Sequence, residues 1–431
     1  MERRFDAIVI GSGVGGSCAA ALLANDGLRV LLAEKRAYLG GRFSTSDHDG
    51  YLCATGGLAV QVGGPIEKVC ASIGIESGVQ PARRSAWWIE GKFHEISRSG
   101  GSLRSTIRRV ADSENEAERV NRALNEALNW LEPADALSFR DWLDQYTTNP
   151  RIHGLFQATI ASLLTVNSWE LRASEYFKLV RNIAPLRFGY VAGGSLRLWE
   201  RIASFIRSKG GEVLTGCAAT QITSAAGRAS GVVLRQRGHD VPVSAEIVVS
   251  NLGPIMTVAL AGREHFERSY LAQLDRDVRP TAIMWLHFAS DQPVLDHSAI
   301  AVCGTRRVNM VDAPSYECPD IAPAGKHLYT VGAAPLDTLE PGDIDAEFEQ
   351  VMQDLRDIIP GFDERCRVLT RTCYRGKWPG FRTVPGSPVS HRTPLKGLFN
   401  VGDASCPRGY AGSMGAATSA MLVRDDVLRL R

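Results

Sequence analysis

A glycine-rich turn near the start of the chain is the segment best equipped for chemistry. Gly11-x-Gly13-x-x-Gly16 stands between an apolar run, Phe5 to Ile10, and a small-residue run, Ser17 to Asn25. A second apolar run, Leu28 to Ala33, ends at Glu34. Each glycine answers a steric need of a dinucleotide. Gly11 permits the tight turn, Gly13 lets a pyrophosphate approach the backbone, and Gly16 lets the helix sit close to the strand. Val14 and Gly15 complete the turn. The helix beginning there offers unpaired N–H groups and a partial positive charge to phosphate. Glu34, with Lys35 beside it, stands where an acid accepts from ribose hydroxyls.

Two further groups extend this constellation. Gly40-Gly41-Arg42 follows the second apolar run and brings a guanidinium, a natural pyrophosphate partner. At the far end of the chain, Leu398 to Val401 reads as a buried strand that Gly402-Asp403 terminates with an acceptor suited to a polyol. Gly412 to Gly415, carrying Ser413 and Met414, then opens a second small-residue helix. One extended cofactor touched by both chain ends fits FAD better than NAD. No second GxGxxG occurs, which weighs against a built-in NAD(P)H module. Flavin supplies the hydride acceptor, so the protein has mainly to bind and orient. Trp378, His391, Arg408 and Tyr410 lie close in sequence to the C-terminal block and are candidates to line a substrate site; no catalytic base stands out. Cys406 is a conceivable flavin tether, although a buried or loop thiol explains it as well.

The elements that must position these residues follow from the same runs. Strand, turn, small-residue helix and strand make a βαβ-type unit. Ala7 to Ala24 is uncharged and follows Arg3 and Arg4, which imitates a signal peptide or short span. Asp6 and the glycines argue against both. Residues 114–131 and 152–183 read as amphipathic helices, and Leu155, Phe156, Leu163, Leu164, Trp169 and Phe177 offer an apolar face that can line a tunnel. Strand patterns follow at Ile283 to Phe288, Ile300 to Cys303, Val308 to Val311 and Leu328 to Val331, then a capped helix from Asp343 to Ile359 and a strand from Val368 to Tyr374. Residues 81–110 are basic and contain Trp87 and Trp88, while 111–150 are acidic. The basic stretch admits a peripheral membrane contact; the plainer alternative is a solvated face paired with the acidic one.

Composition removes other classes. The chain has 431 residues, 49 Lys plus Arg against 47 Asp plus Glu, and a net charge of +2, which argues against a nucleic-acid partner. A mean hydropathy of -0.09 argues against multiple membrane spans. Nine dispersed cysteines without C-x-x-C, and histidines without ligand spacing, argue for reduced thiols in a cytoplasmic protein and against a metal. Ala411-Gly-Ser413-Met-Gly415 imitates a nucleophile elbow, but no histidine follows the serine.

Three blocks, residues 5–60, 190–252 and 385–428, resemble the FAD-dependent amine oxidase and phytoene desaturase superfamily. The middle block carries Gly193-Gly194-Ser195-Leu196, Gly210-Gly211, Ala219-Thr-Gln-Ile222 and Ala245 to Asn251. That last strand and the Gly402-Asp403 ending are closer to the phytoene (carotenoid) desaturase branch. The resemblance implies an α/β fold: a Rossmann-like FAD-binding domain built from discontinuous segments, 1–75, 191–255 and 385–431, plus an inserted α+β substrate domain. The insert divides into a helical lobe at 76–190 and a strand-rich part at 256–384. It further implies that Gly11, Gly13, Gly16 and Glu34 hold the ADP half and Arg42 the pyrophosphate. Ala219 falls beside the adenine, where a valine is usual. Asp403 would bond the ribityl chain, and Ser413 and Met414 would present backbone N–H groups to the flavin. Ala54-Thr55-Gly56-Gly57 lacks the acid that many relatives carry there. The expected activity is hydride transfer from an apolar or isoprenoid-like molecule to flavin. The rivals are an amine or amino-acid oxidase, a redox-neutral flavin-dependent isomerase, and a flavin-free protein like the Rab escort and GDP-dissociation inhibitor proteins. The intact glycine turn and Glu34 argue against the last.

Overall fold

The computed structural model describes residues 3–96, 102–184 and 187–430. Among them, five short strands from three distant parts of the chain form one parallel sheet, in the order Glu212–Leu214, Val30–Ala33, Ala7–Ile10, Ile247–Ser250, Leu398–Asn400. The last four are buried at every position. Apart from the terminal Ser250 and Asn400 they read as unbroken apolar runs, because a parallel sheet is covered on both faces. Helices Val14–Asn25, Ser195–Ser208 and Gly412–Arg429 cover one face. The antiparallel strands Cys217–Ala225, Arg228–Gln236 and His239–Ser244 lie under the other, with helices Pro254–Ala261 and Arg268–Asp277.

The first helix begins at Val14, not at Ser17. The glycines that suggest a longer turn lie inside its first turn, where there is no room for a side chain. A Cβ on Gly16 would sit 1.9 Å from the Gly11 carbonyl oxygen. The flanking strands are also shorter than expected, starting at Ala7 and Val30.

The second layer is a seven-stranded sheet in the order Cys366–Tyr374, Ile283–Ser290, His327–Ala333, Val308–Asp312, Ala299–Cys303, Ser85–Ile89, Lys92–Glu95. Helix Ile344–Ile358 packs on one face, around Phe288, Val311 and Val331. A helical lobe approaches the other, with Pro150–Leu164 lying along the strands at 299–303 and 308–312. Glu114–Asn129, Phe139–Asp144 and Ala173–Ile183 complete the lobe around Phe139, Phe156 and Phe177. The fold is thus α/β, with a discontinuous parallel-sheet domain and an inserted α+β region.

Three expectations need correction. Ser85–Ile89 and Lys92–Glu95 fall within 76–190 but belong to the large sheet, joined by a hairpin at Glu90-Gly91 with φ of 48° and 78°. Trp87 and Trp88 are buried on opposite faces of that strand, Trp87 in the lobe core and Trp88 under the helix side, so neither can meet a membrane. Residues 254–277, assigned mostly to the strand-rich part, pack with the parallel-sheet domain. No helix among the described residues is long and apolar enough to cross a membrane.

Candidate active site

The carboxyl ends of the parallel strands converge on one cavity. Ile10 leads to Gly11, Ala33 to Glu34, Ser250 to Asn251 and Val401 to Gly402-Asp403. Ligands of open α/β sheets bind outside these ends, since the loops there are free of sheet constraints and helix N-termini face them. The cavity measures about 1550 Å³. A single drug-sized ligand occupies roughly 300–1,000 Å³, so there is room for two molecules in one continuous space.

At the glycine turn, Gly11 adopts φ +90°, which only glycine takes readily. Glu34 is nearly fully buried and held from three sides: one carboxylate oxygen accepts from the Ser12 N–H and hydroxyl, both at 2.8 Å, and the other from the Arg36 N–H at 2.8 Å. Gly40 N–H donates to the Ser12 carbonyl at 3.0 Å, which draws the Gly40-Gly41-Arg42 loop over the turn. The Asn251 side chain joins the blocks. With its amide oriented to satisfy both neighbours, it accepts from the Gly13 N–H at 3.1 Å and donates to the Val401 carbonyl at 3.3 Å.

A charged cluster forms the next part of the wall. Arg42 donates to Asp403 at 2.7 Å and to the carbonyls of Gly380 at 2.6 Å and Pro379 at 3.1 Å. The other Asp403 oxygen accepts from the Arg382 backbone N–H at 2.8 Å. Burial pushes the Asp403 carboxyl up, but Arg42 and Arg382 outweigh it and hold the carboxyl below its ordinary range. Arg382 is shifted down to about 10, by burial first and then by Arg42. Two guanidiniums therefore share one carboxylate and leave a net positive charge. The N-termini of helices Val14–Asn25 and Gly412–Arg429 add partial positive charge at the same wall. An extended ligand with an anionic middle and hydroxylated arms fits this donor set.

Gly11, Gly13, Val14, Gly15, Glu34, Lys35, Gly41, Arg42, Ala219, Gly402, Asp403, Ser413 and Met414 all line this one cavity. Gly16 lies behind it, as the close approach to Gly11 requires. Trp378 is on the wall, with the Arg36 guanidinium 4.0 Å from its ring centre. The structure does not bring the other three substrate candidates to the wall. His391 pairs with Asp426 at 2.8 Å on the C-terminal helix. Arg408 is forked onto Asp135 and Glu175 of the helical lobe at 2.8 to 3.1 Å. Tyr410 remains in the loop before Gly412, where its carbonyl accepts from the Cys406 thiol. That thiol is buried and its pKa raised by burial, so it is a neutral packing group beneath Gly415.

Beyond the charged cluster the cavity opens into a chamber between the large sheet and the helical lobe, walled by Trp87, Leu163, Val180, Phe188, Trp285 and Met310. Of the lobe residues with an expected tunnel role, Leu163 lines it. Leu155, Phe156, Leu164 and Phe177 are core, and Trp169 is 39% exposed. Sequence reasoning missed Ser12, Asn251, Arg382 and Trp285. For Asn251 a signal existed: a polar residue directly after a buried strand, as with Glu34. Arg382 and Trp285 carried none, because only the tertiary fold brings them to the wall.

The model of the flavin-containing amine oxidoreductase family matches residues 14–428. An oxidoreductase from Methanosarcina mazei superposes with a TM-score of 0.85 at 24% identity, covering 97% of this chain and 99% of its own. A wild-type putrescine oxidase bound to putrescine superposes with a TM-score of 0.72 at 16% identity, over 99% of both chains. These likenesses show a shared fold. A local match of 42% identity over 73 residues, 17% of this chain, links it to a phytoene desaturase of Cercospora nicotianae, of which it covers 12%.

Proposed function

The chain belongs to the flavin-containing amine oxidoreductase family and is an FAD-dependent oxidoreductase; from that premise we propose that its substrate is a largely apolar, isoprenoid-like small molecule. The observation that carries this reading is the continuity of one cavity from the charged wall into a chamber of aromatic and aliphatic side chains. FAD, when bound, supplies a hydride acceptor. The residues of the chain do the rest in this reading. Arg42, Arg382 and the two helix N-termini would hold the diphosphate. Glu34, already fixed by Ser12 and the Arg36 N–H, would face the ribose. The backbone at Ser413 and Met414 would meet the flavin ring. The chamber walls exclude water from an apolar substrate and orient it by shape, the common mode of such pockets.

The test has two stages. Purified protein should be yellow, and denaturation should release an adenine-containing flavin; its absence after incubation with excess FAD would remove the site assignment. Anaerobic mixing with a polyisoprenoid in detergent should then bleach the flavin. Rapid bleaching by primary or secondary amines, and none by any isoprenoid, would move the substrate to the amine class. Product formed without net bleaching would indicate a redox-neutral isomerase.

A further inference from the structure

The apolar chamber has one buried polar edge, and the register of the large sheet draws it. Asp312 pairs across strands with Ala299 on one side and Thr330 on the other. Thr330 pairs with His287, and His287 with Thr370. Directly paired residues of antiparallel strands stand on the same face. Two residues along each strand, the neighbouring row on that face runs Ala301, Met310, Gly332 and Trp285. Met310, Trp285 and Asp312 all line the chamber. A polar row therefore lies beside an apolar one.

The polar row is incompletely satisfied. Thr330 is fully buried, and its hydroxyl has no partner among the described residues. His287 meets the Thr370 hydroxyl through Nδ1 at 2.8 Å, while its buried Nε2 has no partner. Such groups cost free energy unless water or a ligand meets them. They are direct cross-strand partners, an arrangement in which one buried water can meet two such groups. At the chamber end, the single proton of the Tyr190 hydroxyl goes to the Ser298 carbonyl at 2.8 Å. Asp312 also touches Tyr190 and the Ile300 N–H, and burial raises its pKa to about 7. Tyr190 and the Ile300 N–H both favour the carboxylate and so partly offset the burial. The Asp312 carboxyl oxygens have more lone pairs than these two contacts use.

We propose that Asp312 is the polar anchor of the substrate chamber, accepting a hydrogen bond from an N–H or O–H group at one end of an otherwise apolar substrate, with a buried water behind it between Thr330 and His287. The inference rests on the apolar-substrate reading and narrows it. A ligand without a donor gains nothing from Asp312. A carboxylate brings no donor to Asp312 either, so it gains nothing from it.

The experiment titrates the FAD-loaded protein with four ten-carbon probes: 1-decanol, 1-decylamine, 1-methoxydecane and decanoate. Binding is read from tryptophan emission, since Trp87 and Trp285 are on the wall, and from the flavin spectrum. Decanol or decylamine should bind about tenfold more tightly than methoxydecane and decanoate, near the upper end for one hydrogen bond; whichever leads identifies the O–H or N–H source. Asp312→Leu, checked for unchanged flavin content, should erase that ratio while methoxydecane binds as before. Asp312→Asn, which keeps an acceptor oxygen, should preserve it. Equal binding of decanol, decylamine and methoxydecane to the unaltered protein overturns the anchor without recourse to any variant, and so does tightest binding of decanoate. An unchanged ratio in folded Asp312→Leu also overturns it. If none of the four binds, the apolar-substrate reading falls first and the anchor with it.

Discussion

At the scale of single residues, the glycines of the turn have separable tasks. A Cβ on Gly13 would lie 2.5 Å from the Asn251 amide, which also holds the Gly13 N–H. A Cβ on Gly16 would meet the Gly11 carbonyl at 1.9 Å. The first collision displaces a side chain and fills the space a phosphate needs; the second drives a helix off its strand. Gly13→Val is therefore expected to yield folded protein that loses flavin on desalting. Gly16→Ala should lower unfolding stability by about 1–3 kcal/mol or more, the range for overpacking against rigid neighbours. The flavin-to-protein absorbance ratio and a denaturant titration check the two. A folded Gly13→Val protein with full flavin would show that the turn has another role. His391 and Arg408 teach the complementary lesson. Both lie near the C-terminal block in sequence, yet a hydrogen bond turns His391 to Asp426 and ion pairs turn Arg408 to Asp135 and Glu175. Chain proximity to a site does not make a side chain face it.

At the scale of elements, strand Ile283–Ser290 carries a cost that pH exposes. Every residue of it is buried, including His287. Burial pushes the His287 pKa from 6.5 down to about 3, with His48 adding to the shift. The unfolded chain takes up this proton below pH 6.5, and the folded chain does so only near pH 3. The contribution of neutral His287 to stability is thus intact above pH 6.5 and is lost as pH falls through that window, at up to about 1.4 kcal/mol per pH unit. His287→Asn should flatten the stability profile between pH 6 and 4 by roughly that slope, measured by urea unfolding at fixed pH values. An unchanged slope would mean that His287 titrates normally. The same strand shows how the register fixes chemistry, since its alternate residues Trp285 and His287 belong to the apolar and polar rows of one face.

At the scale of the whole molecule, the parallel-sheet domain and the inserted region contribute opposite walls to one cavity. The chain has a single glycine fingerprint, which the proposed reading gives to FAD, and the chamber beyond it is largely apolar. NADH and NADPH are accordingly expected not to bleach the flavin at turnover rates, about 1–10³ per second, in anaerobic stopped-flow. Bleaching in that range would mean that the chamber admits a nicotinamide. Re-oxidation would then fall to oxygen, a quinone or the substrate itself.

What the sequence determined by itself was which residues gather at the glycine-turn end of the cavity. Gly11, Glu34 and Gly402-Asp403 stand at or just beyond the carboxyl ends of short strands, so type and spacing along a few residues suffice to place them on one wall. The α/β class was legible for the same reason, because strands buried on both faces must be apolar throughout. The substrate end was decided by tertiary structure. Trp87 and Asp312 lie far apart in sequence, and both look ordinary: one sits in a basic stretch, the other at the end of a short strand. They share a wall because Ser85–Ile89 crosses from the lobe segment to pair with Ala299–Cys303, which in turn pairs with Val308–Asp312. Strand pairing between distant segments depends on which faces can be buried together, a property of the assembled sheet that no local window of residues contains.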